Sequence, residues 1–312
     1  DTNLVIQGGH NFYDPDYLED HAVFDASMEF SGPAAAGVQS FVNRLWELGK
    51  VSLAPFGRYP YDGGLDVLKP SSWTKIEVPL LKPTTPGRVS MIGVGRLGSF
   101  GDNVSDEAFL SLIRNTRKSL YIAQEDIFSK IPITGISDIQ KFLKKNQSSA
   151  LPALVEAILD GKKVRIAQTD QAGDGLDGYG MMNAPEAQTY LVQALKARAI
   201  ERKISAKPGL TLAQTVCEMF EIAPWRYNKK ESTWGSSSRK IGSHPKIIIA
   251  DEAAFYLGSH NFYPANLQEF GVIVTDEVVT GQLLRNYWDK VWENSEPHKI
   301  SCKRADLEVI PR

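Results

Sequence analysis

No apolar run in the 312 residues approaches the ~20 that a membrane-spanning helix requires, which excludes a helical membrane span from this sequence. Cysteine is scarce: Cys217 and Cys302 are the full complement. They are far apart, with no neighbouring Cys or His pair, and this argues against a structural zinc site. One disulfide or two free thiols both fit. No charge sign dominates, with 35 Lys and Arg against 37 Asp and Glu and a net charge of -2. That removes the global basic field that gathers polynucleotides, although a local basic patch is still allowed. A recognisable signal peptide is absent, and the first residue is Asp rather than Met, so a processed or excised product is expected. The rest of the composition, 42% hydrophobic and 23% charged, is that of an ordinary globular protein with one large core or two moderate ones. Asn103-Val-Ser105 and Asn146-Gln-Ser148 are glycosylation sequons of a kind frequent by chance.

What is present is a run of unusual density: His244-Pro-Lys246, four residues, Asp251, six residues, Gly258-Ser259-His260-Asn261. A second copy begins within it, because Asp1, six residues, Gly8-Gly9-His10-Asn11 repeats the later half. The parallel extends over residues 1 to 47 and 251 to 293. Each copy has a short apolar strand (Leu4-Val5-Ile6; Phe255-Tyr256-Leu257), a small-residue turn ending in Asn, and Phe-Tyr (Phe12-Tyr13; Phe262-Tyr263). A second strand follows (Ala22 to Phe30; Phe270 to Val274). Each closes with an amphipathic helix ending in Trp-Glu (Trp46-Glu47; Trp292-Glu293). Residues 51 to 86, rich in Pro and Gly, read as a linker. This divides the chain into 1–86, a first lobe with its linker, and 87–312, a second lobe. Strands are expected at Arg88 to Val94, Leu120 to Gln124 and Val164 to Ala167. Helices are expected at Ser105 to Lys118, N-capped by Ser105, at Leu151 to Asp160 and at Pro185 to Arg202. Residues 203 to 240 read as loop around a short helix near Thr211 to Phe220. The alternation implies an α/β fold with a parallel or mixed sheet flanked by helices.

The run suits phosphodiester chemistry. Cleavage without a metal needs a nucleophile, a cationic cradle for the charge that builds on phosphorus, and an acid for the leaving oxygen. His244 can act as nucleophile or acid. Lys246, two residues on, shares its strand face and sets an ammonium beside the imidazole. Ser259 and Asn261 can hydrogen-bond phosphate oxygens. Asp251 lies too far along the strand to touch the same phosphate and reads as structural. His10 and His260 fit a phosphate approach or a surface turn equally; His21 reads as a loop or core residue and His298 as solvent-exposed. Gly93-Val-Gly95-Arg-Leu-Gly98 spells a dinucleotide-binding fingerprint. Its helix starts late and no acidic residue follows at the proper distance, so a tight turn at the edge of the site is the better reading.

Together these residues resemble the phospholipase D superfamily, whose signature is HxKxxxxDxxxxxxGSxN, and in particular the secreted Streptomyces type. The segments that carry this likeness are Phe255 to Gly271, His21-Ala-Val-Phe-Asp25, Ser31-Gly-Pro-Ala-Ala35, Gly95-Arg-Leu-Gly98 and Ile122-Ala-Gln-Glu-Asp126. The resemblance implies a two-lobed fold, α/β with an α+β sandwich of mixed sheets, in which the first lobe is incomplete here. It implies hydrolysis of phosphatidylcholine-like lipids to phosphatidic acid through a phosphohistidine, alcohol exchange as a side activity, and no obligatory metal or other cofactor. By position, His244 becomes general acid and then base. Lys246 and Asn261, with Asn11 from the first lobe, bind phosphate. Asp25 orients His244, and Glu269 orients the nucleophilic histidine of the first lobe. Asp1, Asp251 and Gly258 are structural members of the motif. The first His-x-Lys is missing, so a separate N-terminal chain that stays associated is expected to supply it. The other implied partner is a phospholipid at a membrane surface rather than nucleic acid. A secreted relative also implies a Cys217–Cys302 disulfide. Two rival readings are a nucleic-acid phosphodiesterase and a noncatalytic phospholipid-binding remnant. Trp225, Tyr227 and Trp234 fit either a membrane-facing loop or internal packing.

Overall fold

The computed structural model describes residues 4–11, 15–48, 87–98, 104–128, 150–170, 182–203, 212–262 and 267–302. The linker, Asp1 and Phe12-Tyr13 lie outside the described residues.

A seven-stranded mixed sheet organises the chain. Its strands are β3 (Met91–Arg96), β4 (Ser119–Gln124), β5 (Lys163–Gln168), β6 (Phe220–Pro224), β7 (Lys246–Ala250), β8 (Ala254–Gly258) and β9 (Glu269–Thr275), in spatial order β3-β9-β8-β7-β4-β5-β6. β4, β5 and β6 run parallel; the remaining pairings are antiparallel. A separate antiparallel ribbon joins β1 (Leu4–Gly8) to β2 (Ser27–Ser31) and is followed by helix α1 (Ala34–Leu48).

Both faces of the sheet are buried, so its central strands read as continuous apolar runs rather than alternating ones. Strand β7, Lys-Ile-Ile-Ile-Ala, is buried throughout. One face, with Ile122, Ile166, Ile248 and Tyr256, packs under α2 (Val104–Asn115), α3 (Ala150–Leu159), α4 (Ala184–Arg202) and α5 (Leu212–Met219). The other, with Ile247, Ile249, Leu257 and Val272, is covered by the β1–β2 ribbon, α1, and the C-terminal helices α6 (Glu277–Leu283) and α7 (Asp289–Ser295), which a wider π turn joins. Helix α4 begins where the sequence punctuates it: Asn183 and Glu186 form a reciprocal capping box ahead of Pro185.

The internal repeat is structural. β1, β2 and α1 reproduce in order β8, β9 and the α6–α7 helices, each strand pair being antiparallel. Three expectations are corrected. Residues 220–224 form β6 rather than loop, because Phe220 and Ile222 fill the core beside β5. Ser105 lies inside α2 and is fully buried, so it does not cap the helix. Gly93 and Gly95 sit in strand β3 rather than in a turn. A Cβ on Gly93 would meet the Phe270 ring at 2.8 Å, and one on Gly95 would meet the Phe41 ring at 2.5 Å. These glycines make room for aromatic packing, not for a nucleotide.

Cys217 on α5 and Cys302 beyond α7 form a disulfide, with Cα atoms 5.6 Å apart. It closes a long loop, with a sequence separation of 85, and both residues pack against the core under α2–α5. Reduction is therefore expected to cost about 2–5 kcal/mol of stability. Denaturant unfolding with and without reductant measures this. An unchanged midpoint would mean that the bridge only decorates the C-terminal segment.

Candidate active site

The polar residues of the sheet gather at one edge, where β3, β4 and β8 end and β7 and β9 begin. Antiparallel pairing sets Lys246 at the start of β7 opposite Gln124 at the end of β4. Glu125 and Asp126 follow immediately, and Glu269 opens β9 opposite Arg96.

His244 is the centre of the arrangement. Its backbone N–H donates to the carbonyl of Phe24 at 2.6 Å, and the Phe24 N–H donates to Gly242 at 3.0 Å. This bridge ties the segment before β2 to the segment before β7. It brings Asp25 to the imidazole, with Oδ2 3.0 Å from Nδ1. The carbonyl of Gly9 accepts from the same nitrogen at 3.0 Å. Gly9 needs to be small: a Cβ there would lie 3.0 Å from Cδ of Lys246 and 3.2 Å from the Asp25 carboxylate. The turn of the first copy thus closes over the His-x-Lys of the second.

On the far side of the ring, Glu125 Oε2 lies 2.9 Å from Nε2 of His244 and 3.7 Å from Nζ of Lys246. Lys246 is almost wholly buried and donates to the His244 carbonyl at 2.7 Å. Burial lowers the His244 pKa, but hydrogen bonds to Asp25 and Glu125 outweigh it and the net shift is upward. Burial raises Glu125, yet His244 and then Lys246 hold it below the usual carboxylate range. For Lys246 burial prevails and the ammonium is shifted downward, with the surrounding carboxylates resisting. His244 thus has a carboxylate at each ring nitrogen, an arrangement that favours the protonated ring.

Asn261 and Glu269 form a neighbouring unit. Glu269 Oε1 accepts from the backbone N–H of Asn261 at 3.2 Å and from its Nδ2 at 3.3 Å. Its Oε2 accepts from Arg96 at 2.5 Å, and Arg96 also pairs with Asp106. Burial raises the Glu269 pKa, with Arg96 the chief opposing influence. The Oδ1 of Asn261 is buried with no partner among the described residues, leaving one acceptor at the edge of the site.

Other motif members are placed differently from each other. Asp251, at a positive φ of 55°, accepts from the backbone N–H groups of Arg117, Lys118 and Ser119, away from the phosphate cradle. Those N–H groups outweigh burial and keep its pKa low. Gly258 and Gly271 are pressed against Tyr256, which tolerates no Cβ on either. The Ser259 hydroxyl bridges the Phe270 backbone, donating to its carbonyl at 3.2 Å and accepting from its N–H at 3.1 Å. It locks β8 to β9. Asn11 follows two residues after Gly9. His260 is neither at a surface turn nor exposed to a ligand. It is fully buried beside Phe109, with Nδ1 2.5 Å from the Tyr256 hydroxyl, and burial depresses its pKa strongly. Its place immediately after the β8 turn directs it inward. His10 bonds the Ser27 hydroxyl at 2.8 Å. His298 is partly exposed, 2.9 Å from the Lys229 carbonyl. Trp225 is buried, whereas Phe24, Tyr227 and Trp234 stack beside it, with Phe24 and Tyr227 partly exposed.

Glu125 and Arg96, with Asp106 and Asp126, are charged residues of this edge to which sequence reasoning assigned no role. A usable signal for Glu125 existed: an acidic pair directly after a buried apolar strand.

No family model matches the chain. Phospholipase D of Streptomyces antibioticus is 27% identical over 335 aligned residues, which cover 95% of this chain and 58% of that protein. Among solved structures, phosphatidylserine synthase of Haemophilus influenzae superposes with a TM-score of 0.55 at 14% identity, over 98% of this chain and 62% of the other. Nuc of Salmonella typhimurium, a phospholipase D family member, gives a TM-score of 0.37 at 17% identity, over 67% of this chain and 97% of the other. The resemblance to the phospholipase D superfamily carried by the His-x-Lys run thus holds over nearly the whole chain. Within that class the chain is similar to a Streptomyces phospholipase D, of which it spans about 58% of the length.

Proposed function

We propose that this chain carries the acid–base half of a secreted phosphodiesterase. Its substrates are phosphatidylcholine-like phospholipids, and its products are phosphatidic acid and the free head group. A histidine from the first His-x-Lys attacks phosphorus, forming a P–N bond as the bond to the head-group oxygen breaks. His244, held as imidazolium, gives that oxygen its proton. Neutral His244 then takes a proton from the attacking water, and the P–N bond breaks to release phosphatidic acid. An alcohol in place of water gives head-group exchange. Lys246 and Asn261, with Asn11, hold the phosphate; Asp25 orients His244, and Glu269 orients the nucleophilic histidine.

The observation that carries this reading is the contact between Asp25 of the first copy and His244 of the second, at 3.0 Å. It joins the two repeats at one imidazole, as a two-lobed site requires. The first His-x-Lys is assigned to an associated N-terminal chain. In support, β1 pairs only with β2 among the described residues, and its Leu4 and Ile6 stand 51% and 70% exposed. An unpaired apolar strand edge of this kind calls for a cover. Net charge near zero supports a lipid over a polynucleotide.

Intact mass under native and denaturing conditions, run with a phosphatidylcholine hydrolysis assay on the same sample, tests the proposal. A second polypeptide bearing His-x-Lys and the release of choline are expected. An assembled sample that binds phospholipid without turnover would replace the enzyme by a binding protein. Salt-sensitive cleavage of single-stranded DNA in place of choline release would change the substrate class.

A further inference from the structure

The cationic cradle of this site already holds an anion. The Glu125 carboxylate contacts Nε2 of His244 at 2.9 Å and stands 3.7 Å from Nζ of Lys246. The first is the group assigned to the leaving oxygen and the second is one of those assigned to the phosphate, and one carboxylate oxygen, Oε2, faces both. The opposite nitrogen of the ring is occupied by Asp25 and Gly9, so Nε2 is the ring position through which His244 can reach a leaving oxygen. Glu125 sits directly after the last residue of β4, with 6% of its surface exposed. Local charge points the same way. Against His244, Lys246 and Arg96 stand Asp25, Glu125, Asp126, Asp106 and Glu269, so negative charge already prevails among the described residues of this edge. A phosphodiester adds another negative charge to a buried, low-dielectric place, which is costly unless an existing one withdraws.

We propose that Glu125 is a built-in phosphate mimic: it fills the anion position of the His244–Lys246 cradle in the free protein, and phosphate binds by displacing it. This rests on the phosphodiesterase reading of the site and assigns Glu125 as a positioning residue. In the free state Glu125 holds His244 doubly protonated and Lys246 desolvated in the geometry that receives phosphate. It spares two buried cations the cost of standing unpaired. The same contact sets a threshold on entry, because an anion must exchange places with the carboxylate before Nε2 is released toward the leaving oxygen.

The test titrates inorganic phosphate into the chain as it stands, following heat of binding and the His244 ring nitrogens by NMR. Glu125→Gln keeps the shape and removes the charge. It is expected to bind phosphate about ten- to hundred-fold more tightly than the wild type, since a charge-assisted competitor is lost. The His244 ring should lose its proton at lower pH in the variant, a change that a merely structural residue would not produce. Lys246→Ala should abolish binding in either background. Phosphate binding that needs Lys246 but is indifferent to Glu125→Gln overturns the proposal and leaves the phosphodiesterase reading standing. Absence of phosphate binding in every variant overturns both. If Glu125→Gln does not fold, the wild type is read directly. Saturating phosphate should then shift the side-chain carboxyl resonance of Glu125, and an unmoved resonance overturns the displacement.

Discussion

Substituting His244 by Ala is expected to lower phospholipid turnover by about 10³–10⁴-fold in the assembled enzyme, with little change in KM. In the proposed reaction the imidazole is the proton donor to the leaving oxygen, and the described site offers no replacement at its position. Phosphate binding is proposed to rest on Lys246 and Asn261, so affinity should survive. The variant also removes the ring that separates Asp25 from Glu125, both buried side chains. Some loss of stability accompanies that change, because uncompensated buried charge is destabilising. His244→Gln is the companion: its amide retains a donor, and it should fold well while remaining as inactive. Steady-state choline release and thermal unfolding on both variants check this. Retention of a tenth of wild-type turnover by the folded Gln variant would remove His244 from the reaction.

Asp25→Asn is the second large effect, expected at about 10²–10⁴-fold in kcat by the logic of carboxylates that hold a catalytic imidazole in its working protonation state. The direction with pH follows from the charges. Burial pulls the His244 pKa down, and hydrogen bonds from Asp25 and Glu125 more than restore it. Removing the Asp25 charge therefore lowers it. The proposed turnover needs the protonated ring, so the alkaline limb of the pH–rate profile should move to lower pH in the variant. Stability obeys the same sign. Because the folded pKa is raised, the contribution of His244 is complete below its unfolded value of about 6.5 and is lost as pH rises through the folded value. In Asp25→Asn that contribution should be smaller and be exhausted at lower pH. Matched pH–rate and thermal-unfolding series measure both. An alkaline limb that does not move would show that Asp25 supports the fold without governing the proton on His244.

Much of this was legible in the residues because the constraints are local. The apolar runs of β4, β5 and β7, the capping box at Asn183 and the stop at Gly161 (φ 81°) are written in neighbouring residues. The repeat between Asp1 and Asp251 announced two equivalent hairpins, and the β1–β2 and β8–β9 pairs are those hairpins. The errors arose where a distant neighbour decides. Gly93 and Gly95 look like a tight turn at the edge of the site until Phe270 and Phe41 occupy the space that their missing side chains leave. His260 fits a phosphate approach or a surface turn until tertiary packing buries it beside Phe109 and Tyr256.

By itself the sequence determined the chemical vocabulary of this protein: an imidazole and an ammonium two residues apart at the entry to a strand, a small-residue turn with Asn, and a second copy of that turn. Spacing along a strand sets such relations, because side chains alternate with period two whatever the strand packs against. Only the tertiary structure decided the company His244 keeps. Asp25 reaches Nδ1 across a sequence separation of 219, and Glu125 reaches Nε2 from the end of β4. Those distances depend on strand order and on the register of β4 against β7, which are set by the burial of both sheet faces at once and by no local run of residues.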